Sequence, residues 1–173
     1  MTVTGHPGDE RRVLDSRSEE TFTSPLRLSL IIPAFNEAHR IEGTLREAIE
    51  FLASDFPRSE VILVDDGSTD DTLRIARAVA AAHPSLRVIA NPHGGKATAV
   101  RTGLVEARGE LIGFSDADLA TPLRHLHELV AAIDDGCAIA IGSREGAGAV
   151  ECRWWLQISS TLRPEKSSCP VSK

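Results

Sequence analysis

The chain predicts an α/β fold, a mostly parallel sheet with helices packed on both faces. Three observations carry that prediction. Apolar runs of strand length alternate with segments whose apolar residues recur at helical spacing, as in repeated strand–helix–strand units. The runs are continuously apolar, the profile of strands buried on both faces. Polar, chemically loaded clusters follow the runs one after another, as ligand-binding residues do at the carboxyl ends of parallel strands. At 173 residues the chain suits one domain with a real core better than two.

The elements follow in order. Residues 1–25 are polar, charged and without periodicity, and are expected to form a disordered arm. Residues 28–32 make the first strand, stopped by Pro33. Ile41, Leu45, Ala48, Ile49 and Leu52 then mark a helix. Residues 61–64 form the second strand, and Leu73, Ile75, Ala76, Val79 and Ala80 the second helix. Ser68-Thr69-Asp70-Asp71 opens that helix as a capping signal. A third strand spans 86–89, a helix 96–108 with Ala99, Val100, Leu104 and Ala107 inward, and a fourth strand 111–114. Pro122 fits the first position of a helix carrying Leu126, Leu129, Val130 and Ile133. A fifth strand, 138–141, ends in Gly142-Ser143-Arg144.

Each cluster at a strand end suits ligand chemistry. Asp116 and Asp118 are two residues apart behind a strand, so their carboxylates project to one side and converge on one cation or sugar-nucleotide. Hard cations such as Mg²⁺ are held by one or two carboxylates plus substrate phosphates. In Asp65-Asp66-Gly67-Ser68 one carboxylate can accept from a base N–H while Gly67 lets backbone approach a ligand; turn and capping chemistry reads the same residues equally well. Gly94-Gly95-Lys96 is not a P-loop, because Ala90 and Ala97 stand where that pattern needs Gly and Ser or Thr. It still suits anion binding at a helix N-terminus. Arg144 fits either a phosphate fork or a solvated loop. The six histidines lack metal spacing, and His125 and His127 read as surface residues.

Composition excludes several classes. A net charge of −6 argues against general nucleic-acid binding, and 4% aromatics with no Tyr against base-stacking platforms. Cys137, Cys152 and Cys169 match neither a zinc pattern nor a secreted disulfide framework, so a reducing compartment is expected. No apolar run nears the roughly 18 residues of a membrane span, and the charged N-terminus lacks a signal-peptide core. The expected setting is cytoplasmic, with any membrane contact peripheral and at the cytoplasmic face.

Ile31-Ile32-Pro33-Ala34-Phe35-Asn36-Glu37, Val64-Asp65-Asp66-Gly67-Ser68-Thr69-Asp70 and Asp116-Ala117-Asp118, in this order and spacing, resemble family 2 glycosyltransferases of the GT-A fold. Gly95-Lys96, Ala99-Val100-Arg101-Thr102-Gly103, Leu119-Ala120-Thr121-Pro122 and Gly142-Ser143-Arg144 resemble the polyprenyl-phosphate branch, the dolichyl-phosphate β-glucosyltransferase type before the mannosyltransferase type. The resemblance implies that Pro33, Phe35 and Glu37 line the nucleotide pocket and that Asp65 or Asp66 holds the base. It places Lys96 near the donor, Asp116 and Asp118 on the sugar-nucleotide and its Mg²⁺ or Mn²⁺, and Arg144 on phosphate. The implied reaction is metal-dependent and inverting, moving a hexose from UDP-glucose, or mannose from GDP-mannose, to a lipid phosphate.

The resemblance covers residues 26–149. Residues 150–173 shift in composition, with both tryptophans and two of the three cysteines, so a truncated or frame-shifted tail is expected. The GT-A fold is then incomplete at its C-terminus, and a donor-binding module without transfer activity is the alternative function. Trp154-Trp155 reads as a core or interface anchor, or as part of no native packing.

Overall fold

The computed structural model describes residues 26–142 and the backbone of 155–158. Strands β1 (Leu28–Ala34), β2 (Ser59–Asp65), β3 (Leu86–Ala90) and β4 (Leu111–Phe114) alternate with helices α1 (Ile41–Asp55), α2 (Thr72–Ala82) and α3 (Lys96–Glu106). A 3₁₀ turn at Leu123–His125 leads into α4 (Leu126–Asp134), followed by β5 (Ile139–Ile141) and β6 (Trp155–Ile158). The sheet order is β3-β2-β1-β4-β6-β5. The first four strands are parallel, and β6 runs antiparallel between β4 and β5. The predicted mostly parallel sheet is present, and β6 adds a strand that the sequence did not signal.

The strands are apolar on both sides because both sides are covered. Leu28, Leu30 and Ile32 of β1, with Val61 and Leu63 of β2, pack into one cluster with α1, α2 and α4. Ile31, Ile62 and Val64 point the other way and pack with Ala99 of α3. This is the period-2 alternation of a strand, used on both faces. All five residues expected to face inward on α1 are buried. Helix α3 has a weaker apolar stripe, with only Ala99 and Gly103 buried, and packs directly on β1. A Cβ on Gly103 would come within 2.4 Å of Ile31 Cγ2, so only glycine permits that approach.

Below the site, a buried polar knot ties α3 to the sheet. Glu60 Oε1 accepts from the Ser29 hydroxyl at 2.7 Å and from the Arg108 N–H at 3.0 Å. Its other oxygen pairs with Arg87.

Several expectations are corrected. Pro33 lies inside β1 and does not stop it, opposite Val64 of β2. Ile31 bonds toward β4 and Ala34 toward β2. Pro33 shares the side of Ile31, beyond the last β4 pair, where no ladder N–H is needed. Pro122, expected at the first helical position, is instead the N-cap of the 3₁₀ turn, one residue before that turn begins at Leu123. His125 is buried at 6% exposure, its ring nitrogens without a hydrogen bond among the described residues and its Nδ1 3.5 Å from Glu128 Oε1, whereas the expected exposure holds for His127. Cys137 is disulfide-bonded, a pairing that its spacing in the sequence did not indicate. Ser143, Arg144 and Trp154 lie outside the described residues.

Candidate functional site

The site sits where the strand order reverses. From β1 the chain winds through β2 to β3 on one side, and β4 returns on the other. Switch points of this kind create a crevice at the strands' carboxyl ends. The β1–β4 ladder ends at Ile31 opposite Phe114, while β1–β2 runs on to Ala34 opposite Asp65. Beyond Ile31 a cleft of about 250 Å³ opens between β1 and β4. Pro33, Phe35, Glu37, Asp66, Lys96, Asp116 and Asp118 line it, with Ala34, Ala99 and Ala117 between them.

Two loops form the rim after β1 and β2, and they are laced together. Asn36 adopts a left-handed backbone at φ 55°, which Asn tolerates better than most residues. Its N–H donates to Ser68 Oγ at 2.9 Å and its Oδ1 accepts the Thr69 N–H at 2.8 Å. The Glu37 N–H donates to Thr72 Oγ1 at 2.8 Å and the Ala38 N–H to Asp70 Oδ2 at 3.1 Å. The Asp70 carboxylate also accepts from the Thr72 hydroxyl and N–H, which holds its pKa below the ordinary aspartate value. The predicted capping signal before α2 is thus a staple between loops; the N-cap residue, Asp71, makes no side-chain cap bond.

The adjacent carboxylates of Asp65 and Asp66 have different surroundings. Asp66 lines the cleft and accepts the Gly94 N–H at 3.0 Å and the Gly95 N–H at 2.8 Å. The anion held by the Gly-Gly turn is therefore Asp66 itself. Gly67, at φ +73°, lets that same turn approach, since a Cβ there would meet the His93 nitrogen at 2.7 Å. The close approach expected for a ligand is made by the protein's own backbone. Asp65 lies behind the rim at 1% exposure and does not line the cleft. Its Oδ2 accepts the Ser68 N–H at 3.2 Å, and its Oδ1 is buried without a partner among the described residues.

Across the cleft, Lys96 Nζ pairs with Asp116 Oδ1. Asp118 is exposed, and its Oδ1 accepts the Ala120 N–H at 3.0 Å in a turn that sets Leu119 at φ 46°. The Thr44 hydroxyl of α1 donates to the Ala117 carbonyl at 2.6 Å, fixing the residue between the two aspartates.

No group of three His, Cys, Asp or Glu gathers as a metal cage among the described residues. The two carboxylates on one cleft still fit a hard cation that takes its remaining oxygens from water and phosphate. Asp118 offers an exposed carboxylate, and Asp116 is already engaged with a cationic group.

His93 takes part in a way that its spacing did not indicate. Its Nδ1 lies 2.9 Å from Asp66 Oδ2, and its ring stacks on Phe35 with centroids 4.4 Å apart. The only sequence signal was its place in the cluster before Lys96.

The glycosyl transferase family 2 profile matches residues 29–170. Glycosyltransferase AglD of Haloferax volcanii is 33% identical over 92% of this chain and 24% of its own length. Dolichyl-phosphate beta-glucosyltransferase of Drosophila melanogaster is 37% identical over 79% of this chain and 48% of its own. The chain thus spans less than half the length of these relatives. Among solved structures, the mannosyltransferase PcManGT of Pyrobaculum calidifontis, in complex with GDP-Man and Mn²⁺, superposes with a TM-score of 0.51 at 36% identity. That match covers 64% of this chain and 32% of the other. No helix among the described residues is long and apolar enough to cross a membrane. Profile, relatives and the switch-point cleft agree, and the chain belongs to glycosyl transferase family 2.

Proposed function

We propose that this chain carries the donor half of a glycosyltransferase that moves a hexose from a nucleoside diphosphate sugar to a polyprenyl phosphate. One observation carries the reading: a single cleft at the β1–β4 switch point gathers Pro33, Phe35, Glu37, Asp66, Lys96, Asp116 and Asp118. Phe35, 43% exposed and braced by His93, offers an apolar face for a base. Asp66 borders the cleft and meets the base edge, with Asp65 behind it. Lys96 reaches the phosphates as a point charge. Asp116 and Asp118 would hold the sugar-nucleotide and Mg²⁺ or Mn²⁺. A cation bound there would offset the charge gathering on the departing nucleoside diphosphate.

A lipid phosphate, with a second pKa near ~6, is largely dianionic at pH 7 and attacks the anomeric carbon without a strong general base. Attack from the face opposite the diphosphate inverts that carbon. Arg144 is assigned to phosphate by motif position. Membrane contact is peripheral, at the cytoplasmic face, where the acceptor's headgroup is presented. UDP-glucose is the preferred donor, supported by similarity to dolichyl-phosphate beta-glucosyltransferase. GDP-mannose is the second reading, supported by the likeness to PcManGT.

Calorimetric titration with UDP and with GDP, each with and without Mn²⁺, tests the proposal. Mn²⁺-dependent binding of one nucleotide is the expected result and names the donor class. A folded chain that binds neither overturns the reading. Donor turnover that fails on adding polyprenyl phosphate, with nucleotide binding intact, leaves a donor-binding module.

A further inference from the structure

We infer that Lys96 gates the cation: it occupies Asp116 until a diphosphate draws the ammonium away, so cation and nucleotide load together. The inference rests on the donor-site reading above and adds an order of events to it. Lys96 Nζ is bonded to Asp116 Oδ1, one of the two carboxylates assigned to the cation. An ammonium and a divalent cation on one carboxylate repel each other, and here both would sit on the Asp116 side chain, which is only 20% exposed. While the pair is made, Asp118 is the carboxylate left for a cation, with its Oδ1 already accepting from Ala120. One exposed carboxylate is a poor site for an ion that prefers several oxygens.

The lysine is built to let go. Its backbone is pinned, because the Gly94 and Gly95 N–H groups are held by Asp66. Its side chain is 53% exposed, against 20% for Asp116, so the ammonium can re-aim by rotation about its four-carbon stem alone. A diphosphate entering the cleft offers more negative charge than Asp116 and also supplies the cation with the oxygens it lacks. Release of Lys96 and filling of the cation site are then one event.

Mn²⁺ uptake, read by the EPR signal of free Mn²⁺, tests this on the full chain with and without UDP or GDP. The wild type is expected to bind Mn²⁺ weakly alone and much more tightly with its preferred diphosphate. Lys96→Met is expected to bind Mn²⁺ alone about tenfold more tightly than wild type, the scale of a half-exposed ion pair together with the repulsion it removes. The same variant is expected to lose most of the gain from diphosphate. Lys96→Arg keeps the charge and should behave as wild type toward Mn²⁺ alone. If diphosphate drives Mn²⁺ uptake but folded Lys96→Met binds Mn²⁺ alone no better, the gate is wrong and the site stands. If wild type binds Mn²⁺ equally well with and without diphosphate, the gate is also wrong. No uptake under any condition overturns both.

Discussion

At the scale of single residues, Asp118 makes the sharpest test of the cation assignment. It is exposed and its Oδ1 accepts one backbone N–H, a bond that the amide oxygen of Asn can also accept. Asp118→Asn should therefore keep the turn and lose the charge. Calorimetry should show nucleotide affinity in Mn²⁺ falling to its metal-free level, while unfolding free energy moves by no more than about 0.5 kcal/mol. Unchanged Mn²⁺-dependent affinity would remove Asp118 from the site. The two aspartates were legible because residues two apart behind a strand share a side. The division between Asp65 and Asp66 was not, since it depends on which carboxylate meets the Gly94-Gly95 turn, a contact 28 residues away in sequence.

At the scale of elements, the cleft depends on α3 lying close to β1. Lys96 and Ala99 reach the cleft from that helix, and Gly103 sets its distance from Ile31. Gly103→Ala should force the helix and Ile31 apart, costing about 1–3 kcal/mol by overpacking, despite the better helix propensity of Ala. Chemical denaturation would measure the loss, and nucleotide affinity should fall with it because Lys96 moves with the helix. A stabilised variant would contradict the close packing. Sequence periodicity located α3 but overstated its apolar face, because the signal for tight packing here was a missing side chain. The 3₁₀ turn before α4 was hidden for another reason: helical spacing does not distinguish a tight first turn from a regular one.

At the scale of the molecule, exposed aspartates link stability to acid. Asp55 is held low by bonds from Ser54 and then His127, Asp70 by Thr72, and Asp71 by Arg74. Each folded pKa lies below the ordinary 3.8, so each contribution is present above that value and fades as pH falls through the folded one. Thermal midpoints should be level from pH 7 to about 5 and decline below about 4, and Asp70→Asn should flatten part of the decline. A midpoint that rises in acid would reverse the sign. The alternation of elements and the rim of polar clusters were legible because parallel sheets place their ligand groups at one end. Strand β6 was not, because its partners β4 and β5 are set by the whole sheet rather than by local pattern. Pro33 has a further effect at this scale. Past Ile31, β1 has no ladder partner on its β4 side among the described residues, and bare strand edges recruit foreign strands. A residue with no N–H in that row spoils the template, so the mouth that admits a small donor resists being zipped shut by another polypeptide.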